Sequence, residues 1–164
     1  MRQTRTRKYS LWLYYGLSIA IVLASLLSVT WYVADRFRTF FVDHQRTNLE
    51  ERARGLVHDI QGDPDYLSHV ADYCIRYKRT EPRLRVTIVD NTGEVVCDSA
   101  ADETHMENHA QRPEIRKAFA DSTGSIIRFS TTVKSQLLYV AVPLRISGDD
   151  TWVVRTAIPL ASID

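Results

Sequence analysis

From Leu11 to Ala34 the chain runs for 24 residues without a charged side chain; beyond it, apolar positions recur first at helical and then at alternating spacing. A helix needs roughly 20 apolar residues to cross a hydrocarbon core about 30 Å thick, so the run is long enough to span. Tyr14 and Tyr15 stand near one end, and Trp31 and Tyr32 near the other, where interfacial aromatic belts sit. A cleaved signal peptide is the competing reading, but its apolar region is shorter and ends in small residues. A cut after Ala34 would place bulky Tyr32 at the third position back, so an uncleaved anchor is expected.

Phe37 to Gln61 contains no Pro and only Gly55, with Leu49, Ala53, Leu56, Val57 and Ile60 at helical spacing. This predicts a long helix over 35–61 that continues from the span, residues 11–61 together making a rod of about 75 Å. Gly62-Asp63-Pro64 should end it and start a second helix, with Asp63 as N-cap and Pro64 at the first helical position. Tyr66, Leu67, Val70, Tyr73, Cys74 and Tyr77 form its apolar stripe.

After Arg83 the period becomes two. Arg85–Asp90 reads as a strand, Asn91-Thr92-Gly93 as a turn and Glu94–Asp98 as the returning strand of a hairpin. Ser99–Ser122 is a polar crossing with a short helix over Arg112–Phe119. Strands follow at Ser125–Ser130, Gln136–Leu144 and Thr151–Ile158, the last two joined by a tight turn at Ser147–Asp150. The predicted class is α+β: a five-stranded antiparallel sheet covered by helices.

Charge changes the picture by orienting the chain. Residues 1–34 hold four basic residues and no acid, whereas the rest hold 17 basic against 20 acidic. The basic segment 1–10 should stay cytoplasmic, with 11–34 in the membrane and residues 35–164 outside. A mildly acidic exterior argues against nucleic acid as a partner. Two cysteines in an oxidising space, Cys74 and Cys97, permit one disulfide worth about 3 kcal/mol; the alternative is two buried thiols packed as small hydrophobes.

From Arg85 onward the sequence resembles the sensor region of PhoR-type (phosphate-regulon-like) bacterial sensor histidine kinases. The likeness rests on RVTIVD (85–90), GEVVCDS (93–99), MENH (106–109), RPEI (112–115), RFS (128–130) and YVAVP (139–143), in order over residues 83–160. It implies a PAS-like, single Cache-like sensor domain over 62–164, dimerising through helix 35–61. It further implies a second span and a kinase region beyond this chain, which would use ATP and Mg and address a response regulator. Cys97 departs from the family pattern, where an ordinary apolar residue is expected.

Catalytic chemistry has little foothold. No GxSxG elbow, SxxK pair, Walker loop or dinucleotide loop occurs, so no catalytic residues are assigned and the chain itself is not read as an enzyme. His105 and His109 stand at i, i+4, a zinc-compatible spacing; a structural hydrogen bond from His109 is preferred, and no metal site is assigned. Strand alternation places Arg85 with Thr87, Arg128 with Ser130, Tyr139 with Ala141 and Arg155 with Ala157. If those faces coincide, Arg85, Arg128, Tyr139 and Arg155 form a ligand-binding surface for a carboxylate or phosphate. The plainer reading, preferred on sequence alone, pairs the arginines with Asp90, Asp98 or Glu114.

The expected function is the input module of a two-component sensor kinase in the bacterial inner membrane, a homodimer answering an unknown small ligand or envelope protein. A Gly-Pro break at Glu51-Arg52 is expected to uncouple input from output while residues 85–160 stay folded. The rivals are the sensor of a chemoreceptor or cyclic-dinucleotide enzyme, and a one-span envelope interaction protein.

Overall fold

The computed structural model describes residues 4–147 and 150–160. Contacts divide the chain into two units that part between Asp43 and His44. Helix α1, Thr4–Gln61, contributes to both.

In the first unit every side chain from Leu11 to Phe40 is exposed, Leu27 by 71%. This is one helix long and apolar enough to cross a membrane. Three of its hydroxyls bond within the helix. Ser18 donates to the Tyr15 carbonyl at 2.9 Å, and Ser28 and Thr30 donate to Ala24 and Leu26, each at 2.8 Å. Such back-bonding lets polar residues sit in an apolar medium without an orphaned donor.

The second unit is built on a five-stranded antiparallel sheet: β1 (Arg85–Val89), β2 (Val95–Asp98), β3 (Gly124–Ser130), β4 (Ser135–Ser147) and β5 (Asp150–Pro159). The spatial order is β2-β1-β5-β4-β3. Helix α2 (Tyr66–Thr80) and the last turns of α1 cover one face, where Leu49, Ala53, Leu56 and Ile60 bury against Val86, Ile88, Val140, Val142 and Val154. Helix α3 (Pro113–Phe119) packs on the other face through Ile115 and Ala118, against Val89, Ala141 and Val153. The α+β class read from periodicity is the observed one.

Some local readings shift. α2 starts at Tyr66 rather than Pro64, because Asp63 is spent outside the helix: its carboxylate accepts from the Asp65 amide at 3.0 Å and the Tyr73 hydroxyl at 3.1 Å. Val70, Tyr73 and Cys74 bury as expected, while the side chain of Leu67 lies outside the described residues. Cys74 and Cys97 are disulfide-bonded, with their Cα atoms 6.1 Å apart, tying α2 to β2. β4 and β5 pair from Ser147↔Asp150 inward; their turn, Gly148-Asp149, is outside the described residues, as is the tail from Ala161 on.

The expectation for the Gly-Pro break does not survive. Glu51-Arg52 lies between Leu49 and Ala53, at 1% and 0% exposure, so breaking the helix there opens the core of the sheet unit. A break confined to the helix belongs before His44.

Candidate functional site

Register decides which side chains meet. Arg85 pairs with Ala157, Thr87 with Arg155, Tyr139 with Ala157 and Ala141 with Arg155, so Arg85, Arg155 and Tyr139 share the α3 face of the sheet. Arg128, on the edge strand β3, presents its guanidinium 5.0 Å from the centre of the Tyr139 ring, and Arg155 presents its own at 4.9 Å. The structure thus brings together all four residues singled out from the sequence.

The connection between β2 and α3 roofs this surface. Asp90 turns the β1–β2 hairpin by accepting from the amides of Thr92 and Glu94, both at 2.9 Å. Gly93 takes φ +89°, and a Cβ there would come within 2.7 Å of the Ala110 amide nitrogen. The Gly93 carbonyl accepts from the His109 amide at 2.7 Å, and Asn108 donates to Thr92 at 3.0 Å. A hairpin turn thereby pins the segment that carries His109. At the first turn of α3, a Cβ on Gly124 would stand 2.7 Å from Glu114 Cα, so only glycine lets β3 run this close under the helix.

Two acids hold the arginines. Arg85 Nε donates to both Asp98 oxygens, at 3.1 and 3.0 Å, and its Nη1 donates to Ser130 at 3.3 Å. Asp98 also accepts from the Thr87 hydroxyl at 2.6 Å and from the amides of Ala100 and Ala101. Arg155 is fully buried; it donates to Thr87 at 2.9 Å and lies 3.5 Å from Glu114, which is 3.7 Å from Arg128. The pairing foreseen for Asp98 and Glu114 is therefore present. Asp90 takes no part, its carboxylate being occupied by the hairpin.

The pairing leaves charge over. Arg85, Arg112, Arg128, His109 and Tyr139 line a cleft of about 420 Å³, rimmed by His105 and Glu107, with Arg155 against Tyr139. Four guanidiniums thus surround two buried carboxylates. Burial, with Arg128 close by, pulls the pKa of Arg112 down; burial with Arg112 and Arg85 close by lowers that of Arg155 to about 10, so Arg155 still carries its charge at neutral pH. His109 is pushed down to about 3 by burial first and then by Arg155 and Arg112. Buried donors Arg128 Nε and Arg155 Nε lack a hydrogen-bond partner among the described residues. An excess of positive charge with unused donors suits an anion, and carboxylates or phosphates fit the guanidinium fork.

Arg112 was missed in the sequence. It caps α3 at the end of the crossing, and a charge count over the RPEI stretch is the signal that points to it. His105 and His109 do not converge on a metal: His105 is exposed on a single 3-10 turn, His109 is buried, and no group of metal-binding side chains occurs among the described residues.

No protein-family model matches the sequence, and no curated protein sequence does. Solved structures resemble the fold. The sensor domain of E. coli DcuS is 13% identical with a TM-score of 0.55, over 71% of this chain and 92% of that one. The sensor domain of the V. cholerae histidine kinase DctB is 13% identical with a TM-score of 0.51, over 74% and 57%. The ligand-binding domain of the Campylobacter jejuni chemoreceptor Tlp3, in complex with 4-methylisoleucine, is 14% identical with a TM-score of 0.52, over 82% and 56%. The chain therefore spans little more than half of the DctB and Tlp3 domains. These likenesses do not support PhoR-type specificity and carry the coarser statement: the sheet unit has the fold of Cache-like sensor domains, as found in histidine kinases and chemoreceptors.

Proposed function

We propose that this chain is the anchored input end of a bacterial sensor histidine kinase, held in the inner membrane by residues 11–34 with the sheet unit outside. It takes a small anion into the arginine cleft and passes the change to α1. One observation carries the reading: four guanidiniums against two buried carboxylates, with Glu107 at the rim, in a cleft on the sheet of a sensor-domain fold. The ordered likeness to PhoR-type sensors favours a kinase output, and the Tlp3 likeness keeps a chemoreceptor output as the second reading. Because Leu49, Ala53, Leu56 and Ile60 are used on the chain's own sheet, dimerisation through helix 35–61 would use its remaining faces.

The test is calorimetric titration of the full chain in lipid nanodiscs with small mono- and dicarboxylates and inorganic phosphate. At least one should bind, and Arg128→Ala, shown to be folded by circular dichroism, should weaken it about tenfold or more, the loss of a charge-assisted hydrogen bond. The Arg128 side chain is 36% exposed on the edge strand, and Glu114 keeps Arg155 as a partner when it is removed, so the variant should fold at some cost in stability. No binding across the panel, or equal binding by the variant, contradicts the reading.

A further inference from the structure

His109 imposes a second requirement on whatever enters the cleft. Its Nδ1 lies 2.5 Å from the Glu107 carbonyl oxygen. A carbonyl oxygen can only accept, so Nδ1 carries the proton and donates. The residue is 98% buried among guanidiniums, where a second ring proton is disfavoured. Nε2 is then a bare lone pair, buried and without a hydrogen-bond partner among the described residues. His109 lines the same cleft as Arg128, whose buried Nε is a donor without an acceptor.

The two orphans are complementary. The arginines can be satisfied only by acceptors, and His109 only by a donor. Resting on the reading of the cleft as the ligand site, we infer that its ligand is an oxyanion that also carries an O–H, as a hydroxycarboxylate or hydrogen phosphate does, with His109 Nε2 selecting for that hydroxyl. A plain carboxylate or sulfate would meet the arginines and leave the imidazole lone pair unpaired.

Matched pairs test this on the unaltered full chain in nanodiscs: lactate against propionate, malate against succinate, and phosphate against sulfate at pH 7. In the pair whose skeleton fits, the O–H member should bind about tenfold or more tighter, the cost of an unmade buried hydrogen bond. Preference within the first two pairs assigns a hydroxycarboxylate, and within the third a phosphate. His109→Phe should lower the affinity of the O–H member to that of its partner; should this variant fail to fold, the pairs on the unaltered chain decide. Equal affinity within every pair overturns the role of His109 while leaving the cleft reading intact. No binding by any member overturns both.

Discussion

Glu114 is the residue on which the site's electrostatics turn. It is buried, 3.5 Å from Arg155 and 3.7 Å from Arg128, and neither of its oxygens makes a closer bond. Glu114→Gln keeps the shape and removes the charge that faces two guanidiniums. Stability should fall by about 3 kcal/mol, read by denaturant titration of the detergent-solubilised chain, since a buried ion left without its partner is costly. A change well under 1 kcal/mol would show that water or other groups already screen the pair. His109 gives a pH signature. Its folded pKa of about 3 lies below the ordinary 6.5. Between those values the unfolded chain binds more protons, so stability falls on acidification from pH 6.5 toward 3, by up to about 1.4 kcal/mol per unit. Between pH 6.5 and 5 most carboxylates stay ionised, and there His109→Gln should flatten the slope. Identical slopes would contradict a neutral, buried ring.

Among the elements, the disulfide has the clearest independent effect. It closes a loop of sequence separation 23 between α2 and β2, elements that the hydrophobic cluster of Val70 and Tyr73, with Val96 packed against it, already holds together. Replacing Cys74 and Cys97 by serine should cost about 3 kcal/mol in the same titration, and a reductant should do likewise in the unaltered chain. An effect of reductant on the double variant would mean that something else is being reduced. Most elements were legible because period-two and period-3.6 patterns survive in the sequence: β1, β3 and α3 fall within a residue of their expected bounds. The start of α2 was not, since Asp63 serves a tertiary partner, Tyr73, which local spacing does not reveal.

At the scale of the whole chain, parity along each strand marked Arg85, Arg128, Tyr139 and Arg155 as candidates for one face, because the side-chain period of a strand is fixed, but only the register between strands makes those faces coincide. What parity cannot say is where a loop returns. His109 and Arg112 reach the cleft only because the crossing is pinned to the β1–β2 turn through Gly93, a long-range contact with no periodic trace. The same packing joins the cleft to helix α1. Thr156, next to Arg155, donates to the Leu49 carbonyl at 3.0 Å, and Thr123, in the loop after α3, donates to Glu50 at 2.9 Å. The Arg54 guanidinium beside Glu50 holds its carboxyl below the usual range, so that this link stays ionised. For an input module the helix must differ between the free and bound states, because a ligand shifts only an equilibrium whose two states it distinguishes. Hydrogen exchange of the nanodisc-embedded chain, with and without the tightest-binding anion of the panel, measures this directly. The account predicts altered protection at 92–110 and α3, and also in the α1 amides of residues 49–61. Protection that changes around the cleft while 49–61 exchange at an unchanged rate would make this a binding domain that does not signal through α1.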